Sequence, residues 1–167
     1  MGYTTPKTWG NEAVFAGDMN IYLRDNFKAL KYPPTAYYLI DRDTDYSTTS
    51  TSFTDIHSTE MALSITLDVE SDVMLGLQCV LYSSSSIRIY LRVDVDGSPL
   101  QADDGLLVSE ASGVRTICPM LLIPALAAGE HTFKMQWKVS SGTGVMNSGA
   151  GTSGRDTKGL FWVRVMS

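Results

Sequence analysis

The chain has 167 residues, 44% of them hydrophobic, and a formal net charge of −5. That length fits one domain with a single sizeable core, and the mild acidity without any basic cluster excludes a surface that tracks nucleic-acid phosphates. No window nears the roughly twenty apolar residues of a membrane span, and no positively charged, apolar leader opens the chain. The expectation is a protein made in a cytoplasm without a signal peptide, with neither a membrane nor a nucleic-acid partner.

Met1 to Lys7 is polar and reads as an extended arm. Trp9 and Phe15 flank a short turn at Gly10-Asn11, and two aromatics this early call for a partner surface. Asp18 is placed to cap a helix by accepting hydrogen bonds from first-turn amides. Met19, Tyr22, Leu23, Phe27 and Leu30 then recur at three- and four-residue spacing, the period of one helix face. Pro33 and Pro34 end the helix. A helix this short is marginal alone in water, so its apolar face must pack on something, either the open end of its own β body or another molecule.

Everything after the prolines reads as β. Ala36 to Ile40 makes a first strand, and the polar run Asp41 to Ser52 reads as a long exposed connection with a brief strand at Phe53 to Ile56. Leu63, Ile65 and Leu67 alternate with polar residues. Val73 to Tyr82 is apolar on both faces, with Met74, Val80 and Tyr82 on the second, and such a strand is expected to be buried twice. Ile87 to Val95 alternates and ends at Asp96-Gly97. With the preceding run it suggests a long antiparallel hairpin, and Asp-Gly makes the next turn.

Leu106 to Val108 is short, and Val114 to Ile123 carries Pro119, which points to an edge or a bulge. Pro124 to Gly129 reads as a loop. His131 to Val139 alternates cleanly, Ser140 to Lys158 reads as a flexible Gly/Ser/Thr loop, and Leu160 to Met166 closes the chain. The pattern predicts an all-β, jelly-roll-like antiparallel sandwich of about eight strands with one N-terminal α-helix. Residues 1–34 form the arm and helix, and residues 35–167 the sandwich.

Chemistry is sparse. His57 sits among Ser and Thr and His131 opens a strand, and neither has a nucleophile motif nearby. Asp94, Asp96, Asp103 and Asp104, and the alternating Asp41, Asp43 and Asp45, could each offer oxygens to a cation, but neither set matches a calcium loop, and solvated loops are the simpler reading. The Arg88, Tyr90, Arg92 face reads as an exposed strand face or a subunit contact. GTGVMNSGAGTSG lacks the lysine and context of a phosphate loop. Cys79 and Cys118 read as small core residues without metal spacing, with a disulfide left open. No enzyme activity, cofactor or metal is expected.

Two runs carry a resemblance. Trp9-Gly10, then Val14, Ala16, Asp18, Asn20, LRDNF and Leu30, resembles a segment that opens many structural proteins of tailed bacteriophages and prophages. LAAGEHTFKMQWKV, at 126–139, is similar to the penultimate-strand region of jelly-roll domains in virion and tumour necrosis factor-like proteins, which commonly form trimers. The resemblance implies a non-enzymatic virion component, a homotrimer attached through its N-terminal segment to the major capsid protein or to tail proteins. A short chain without a shaft favours head decoration over a tail fibre, and a carbohydrate-binding sandwich is the competing class. Apolar excess in the N-terminal segment and on the second face of Val73 to Tyr82 marks the expected contact residues, Trp9, Phe15, Met19, Tyr22, Leu23, Phe27, Leu30, Met74, Val80 and Tyr82.

Overall fold

Apolar alternation builds the body, and the computed structural model describes residues 16–101, 103–109, 112–149 and 156–166 of it. One helix, α1 (Ala16–Lys31), precedes thirteen extended segments. The first five are β1 (Thr35–Ile40), β2 (Tyr46–Thr48), β3 (Thr54–Asp55), β4 (Ala62–Leu67) and β5 (Ser71–Ser83). The next four are β6 (Ile89–Val95), β7 (Ser98–Pro99), β8 (Leu106–Ser109) and β9 (Gly113–Ile117). Last come β10 (Met120–Leu126), β11 (Gly129–Val139), β12 (Gly144–Asn147) and β13 (Gly159–Val165).

Two antiparallel sheets face each other. In the first, β1 pairs β13, β13 pairs β5, and β5 pairs β10 and β9 on its far side. In the second, β4 pairs β11, β11 pairs β6, and β6 pairs β8. Taking β9 and β10 as one interrupted strand leaves eight principal strands, in the orders 1-8-3-6 and 2-7-4-5. That wrapping, in which the first and last strands pair, is a jelly roll. The short segments β2, β3, β7 and β12 extend the two sheets.

The inward residues of both sheets interlock as the core of a sandwich. Trp137, Phe133 and Met135 of β11 meet Val73, Leu75 and Leu77 of β5, and Phe161 and Val163 of β13, all buried in one cluster. The predicted Asp96-Gly97 turn joins β6 to β7, with φ of 54° and 84° at its two central residues. Positive φ at both positions matches the right-handed twist of a hairpin, and Gly97 donates its amide to Asp94 Oδ1 at 3.0 Å.

Several expectations change. The helix already includes Ala16, so Asp18 lies inside it and is not its cap. β5 and β6 do not form a hairpin, because residues 84–88 carry the chain from one sheet to the other. The polar stretch 41–52 holds β2, whose Tyr46 is buried, and the Gly/Ser loop after Ser140 holds β12, whose Met146 is buried. β10 runs on through Pro124 to Leu126, with a bulge between Ile123 and Leu126 where Ala125 takes a φ of 50°. Of the cysteines only Cys79 is in the core. Cys118 is exposed at the break between β9 and β10, and both are free thiols.

Candidate interaction surface

The outer face of the first sheet is where the apolar excess collects. Inward Ala36, Tyr38 and Ile40 leave Thr35, Tyr37 and Leu39 of β1 pointing outward. By the same alternation β13 presents Leu160, Trp162 and Arg164, β5 presents Met74, Gly76 and Gln78, and β10 presents Met120 and Leu122. The register aligns these into cross-strand rows. Tyr37, Trp162, Gly76 and Met120 form one row, and Thr35, Arg164, Met74 and Leu122 the next. Tyr37 is 69% exposed, Met120 63% and Leu122 52%.

Gly76 explains how Trp162 fits. A Cβ at Gly76 would lie 2.5 Å from Trp162 Cε2, so the indole rests on the bare glycine backbone. Trp162, Tyr37, Met74, Leu160 and Met166 line an open groove of about 820 Å³, together with Leu30 of α1 and Pro33 of the link that follows it.

The helix itself presents the second unmatched surface. Met19, Leu23, Phe27 and Leu30 lie on one stripe and are all exposed, Phe27 at 67%. Of the residues expected to make contacts, Leu30 and Met74 meet at the groove, while Met19, Leu23 and Phe27 stand clear of it. Val80 is buried and Tyr82 half-buried on the upper part of β5. Trp9, Phe15 and the side chain of Tyr22 lie outside the described residues. Tyr37, Leu39, Met120 and Leu122 were missed. Their signal was the one used for Val73 to Tyr82, apolar residues on both faces of TAYYLI and MLLI.

The chemistry-bearing side chains are tied into structure. His57 Nδ1 faces the Thr59 and Glu60 amides in a tight turn at 3.5 and 3.2 Å. His131 pairs Asp96 at 2.7 Å through Nδ1, while Nε2 meets the Ala127 carbonyl at 2.9 Å. Its pKa is raised, first by the Asp96 hydrogen bond. Burial would lift Asp96, but the Thr132 amide and His131 outweigh it, so its pKa is lowered. Burial pushes the Cys79 thiol well up, which keeps it protonated and unreactive.

The acidic loops have partners of their own. Asp41 meets Lys158 at 2.6 Å, Asp45 accepts the Ser148 amide at 2.9 Å, and Asp104 meets Lys138 at 3.0 Å. Among the described residues no group of three or more His, Cys, Asp or Glu side chains is placed to hold a metal ion. The Tyr90 and Arg92 face is a stack: Arg92 lies over the Phe53 ring at 4.3 Å, and Lys138 over Phe53 at 4.8 Å and Tyr90 at 5.0 Å.

No protein-family model and no curated protein sequence matches the chain. Solved structures do. The globular domain of a zebrafish complement 1qA protein is similar at 12% identity and a TM-score of 0.45, over 81% of this chain and 98% of that one. The VP2 subviral particle of infectious bursal disease virus follows at 14% identity and 0.38, over 79% of this chain and 37% of that one. Dimeric latent PorU from Porphyromonas gingivalis is similar at 9% identity and 0.40, over 81% of this chain and 13% of that one.

Proposed function

We propose that this β-sandwich is a non-enzymatic structural component of a tailed-phage virion, a homo-oligomeric head-decoration protein attached through residues 1–34. The observation that carries the reading is the pair of unmatched apolar surfaces, the helix stripe and the outer sheet face, on a body whose own core is complete. Contiguous exposed apolar surface of this kind marks contacts with other subunits. The resemblance of the Trp9 to Leu30 segment to phage structural proteins supplies the virion setting and the attachment role.

The test is gold-labelled antibody against the protein on purified particles of the source phage, paired with rebinding of added protein to particles stripped of it. Label on the head, and loss of rebinding in full-length Trp9→Ala at unchanged solution mass, is the expected result. Label on the tail would replace decoration with a tail role. Protein absent from particles, yet retained on an immobilised glycan, would put the carbohydrate-binding class in its place.

A further inference from the structure

Both unmatched apolar surfaces belong to one chain, and they match each other. The helix stripe from Met19 to Leu30 spans eleven residue steps, about 16 Å at the helical rise. The sheet face is four strands wide, β1, β13, β5 and β10, about 14 Å at the spacing between neighbouring strands. Along the strands, Thr35 to Leu39 covers about 14 Å. A single amphipathic helix of this length therefore fits the face.

Charge sets its orientation. On the helical wheel Arg24, Lys28 and Lys31 gather beside one edge of the stripe, the last two in the final turn. The sheet face is bordered at one end by exposed Glu70 and Asp72 at the start of β5, where Asp72 Oδ1 also accepts the Ala125 amide at 2.9 Å. Arg164 is the cation of the face at that end, and the two carboxylates outnumber it. A helix laid across the strands with its basic flank toward that end places lysines against carboxylates, and its stripe over Tyr37, Trp162, Met74 and Met120.

The helix of the same chain is badly placed to do this. Only Tyr32, Pro33 and Pro34 separate α1 from β1, and the linker is anchored. Pro34 accepts the Val165 amide at 3.0 Å, and Thr35 Oγ1 donates to the Pro33 carbonyl at 2.9 Å. Two successive prolines keep the link extended, so only the end of α1 reaches its own groove, through Leu30, while Met19, Leu23 and Phe27 stay exposed.

We infer that α1 of one copy lies across the outer face of the β1–β13–β5–β10 sheet of the next, so that subunits are joined by exchanged helices. This deepens the oligomeric part of the function proposed above and rests on that part alone. The contact is head-to-tail, so it builds a closed ring when the rotation between copies closes. The N-terminal segment then has two separate roles, in which the helix joins copies and the residues ahead of it, Trp9 among them, are left for the particle.

The test uses two differently tagged full-length chains, Phe27→Cys and Tyr37→Cys, each also carrying Cys118→Ser. They are co-expressed and treated with a short-arm bis-maleimide, and Cys79 is buried and stays out of the reaction. The expected result is a covalent species of twice the chain mass carrying both tags. Light scattering of full-length Phe27→Asp should show the mass falling to a single chain with the far-ultraviolet β signal unchanged, since Phe27 lies outside the core. An oligomer that gives no mixed cross-link, or keeps its mass in Phe27→Asp, overturns the exchange and leaves the oligomeric reading standing. A wild-type protein that is a single chain at every concentration overturns both.

Discussion

Gly159 has no room for a side chain. A Cβ there would come within 2.6 Å of the Gln78 carbonyl and 3.0 Å of Ile40 Cδ1, where β13 enters the sheet between β1 and β5. Backbone cannot give way as a side-chain tip can, so Gly159→Ala is expected to cost about 1–3 kcal/mol, the usual range for overpacking. Gly76→Ala is a different case, because what it meets is the half-buried indole of Trp162, which can swing outward. Urea unfolding midpoints separate the two. Equal losses at both positions would refute the distinction.

The His131–Asp96 pair makes a pH prediction at the same scale. A histidine whose folded pKa is raised contributes fully below its unfolded value, about 6.5, and loses that contribution as pH rises through the folded value. Asp96, lowered in the fold, contributes above the unfolded carboxylate value, about 3.9, and loses it as pH falls through the folded value. The pair therefore stabilises most between roughly pH 4 and 6.5. Asp96 is close to half exposed, so water screens the pair and the effect is about 0.5–1 kcal/mol. Asp96→Asn keeps a residue that tolerates the turn's φ of 54° and still accepts the Thr132 amide. It should lose stability at pH 5.5 and much less at pH 8.5. The same loss at both would mean the carboxylate charge is not what matters.

At the scale of elements, the helix is dispensable to the core, since no described residue of α1 belongs to the buried cluster. A chain beginning at Tyr32 should keep its β circular-dichroism signal and, in dilute solution, unfold within about 1 kcal/mol of the full chain. Loss of the β signal would show that α1 props up the sandwich from which it projects. The same element shows what the residue pattern could and could not reveal. Its stripe was legible because a 3.6-residue period needs no partner to be seen.

The strand faces were legible too: Phe133, Met135, Trp137 and Val139 all point inward as their alternation demands. Which strand pairs with which was not. A serine turn reads alike whether it closes a hairpin or carries the chain across the sandwich, and the serines that follow β5, in residues 84–88, do the second. β2 and β12 stayed hidden for another reason. They are three and four residues long, and Tyr46 and Met146 are anchored by neighbours far along the chain. The apolar outer face was half visible, in the doubly apolar β5. Its rows form only once β1, β13 and β10 are set beside it by long-range pairing.

At the scale of the whole molecule, β1 pairs with β13, so the sandwich closes only when β13 is in place and its stability is a property of the whole set of strands. Helix exchange would add a term that depends on neighbours. Anything that binds the folded state alone stabilises it by mass action, and here that ligand is another copy. Each chain in a closed ring both donates a helix and receives one. A tenfold rise in protein concentration then favours the folded assembly by roughly 1 kcal/mol per chain, a shift of about 2–4 °C in the thermal midpoint for a domain of this size. Phe27→Asp, which removes the centre of the stripe, should unfold at one midpoint whatever the concentration. Calorimetry across a hundredfold range of concentration reads both lines. A wild-type midpoint that does not move would overturn both the helix exchange and the oligomer, whereas a moving midpoint that persists in Phe27→Asp would place the subunit contact elsewhere on the β body.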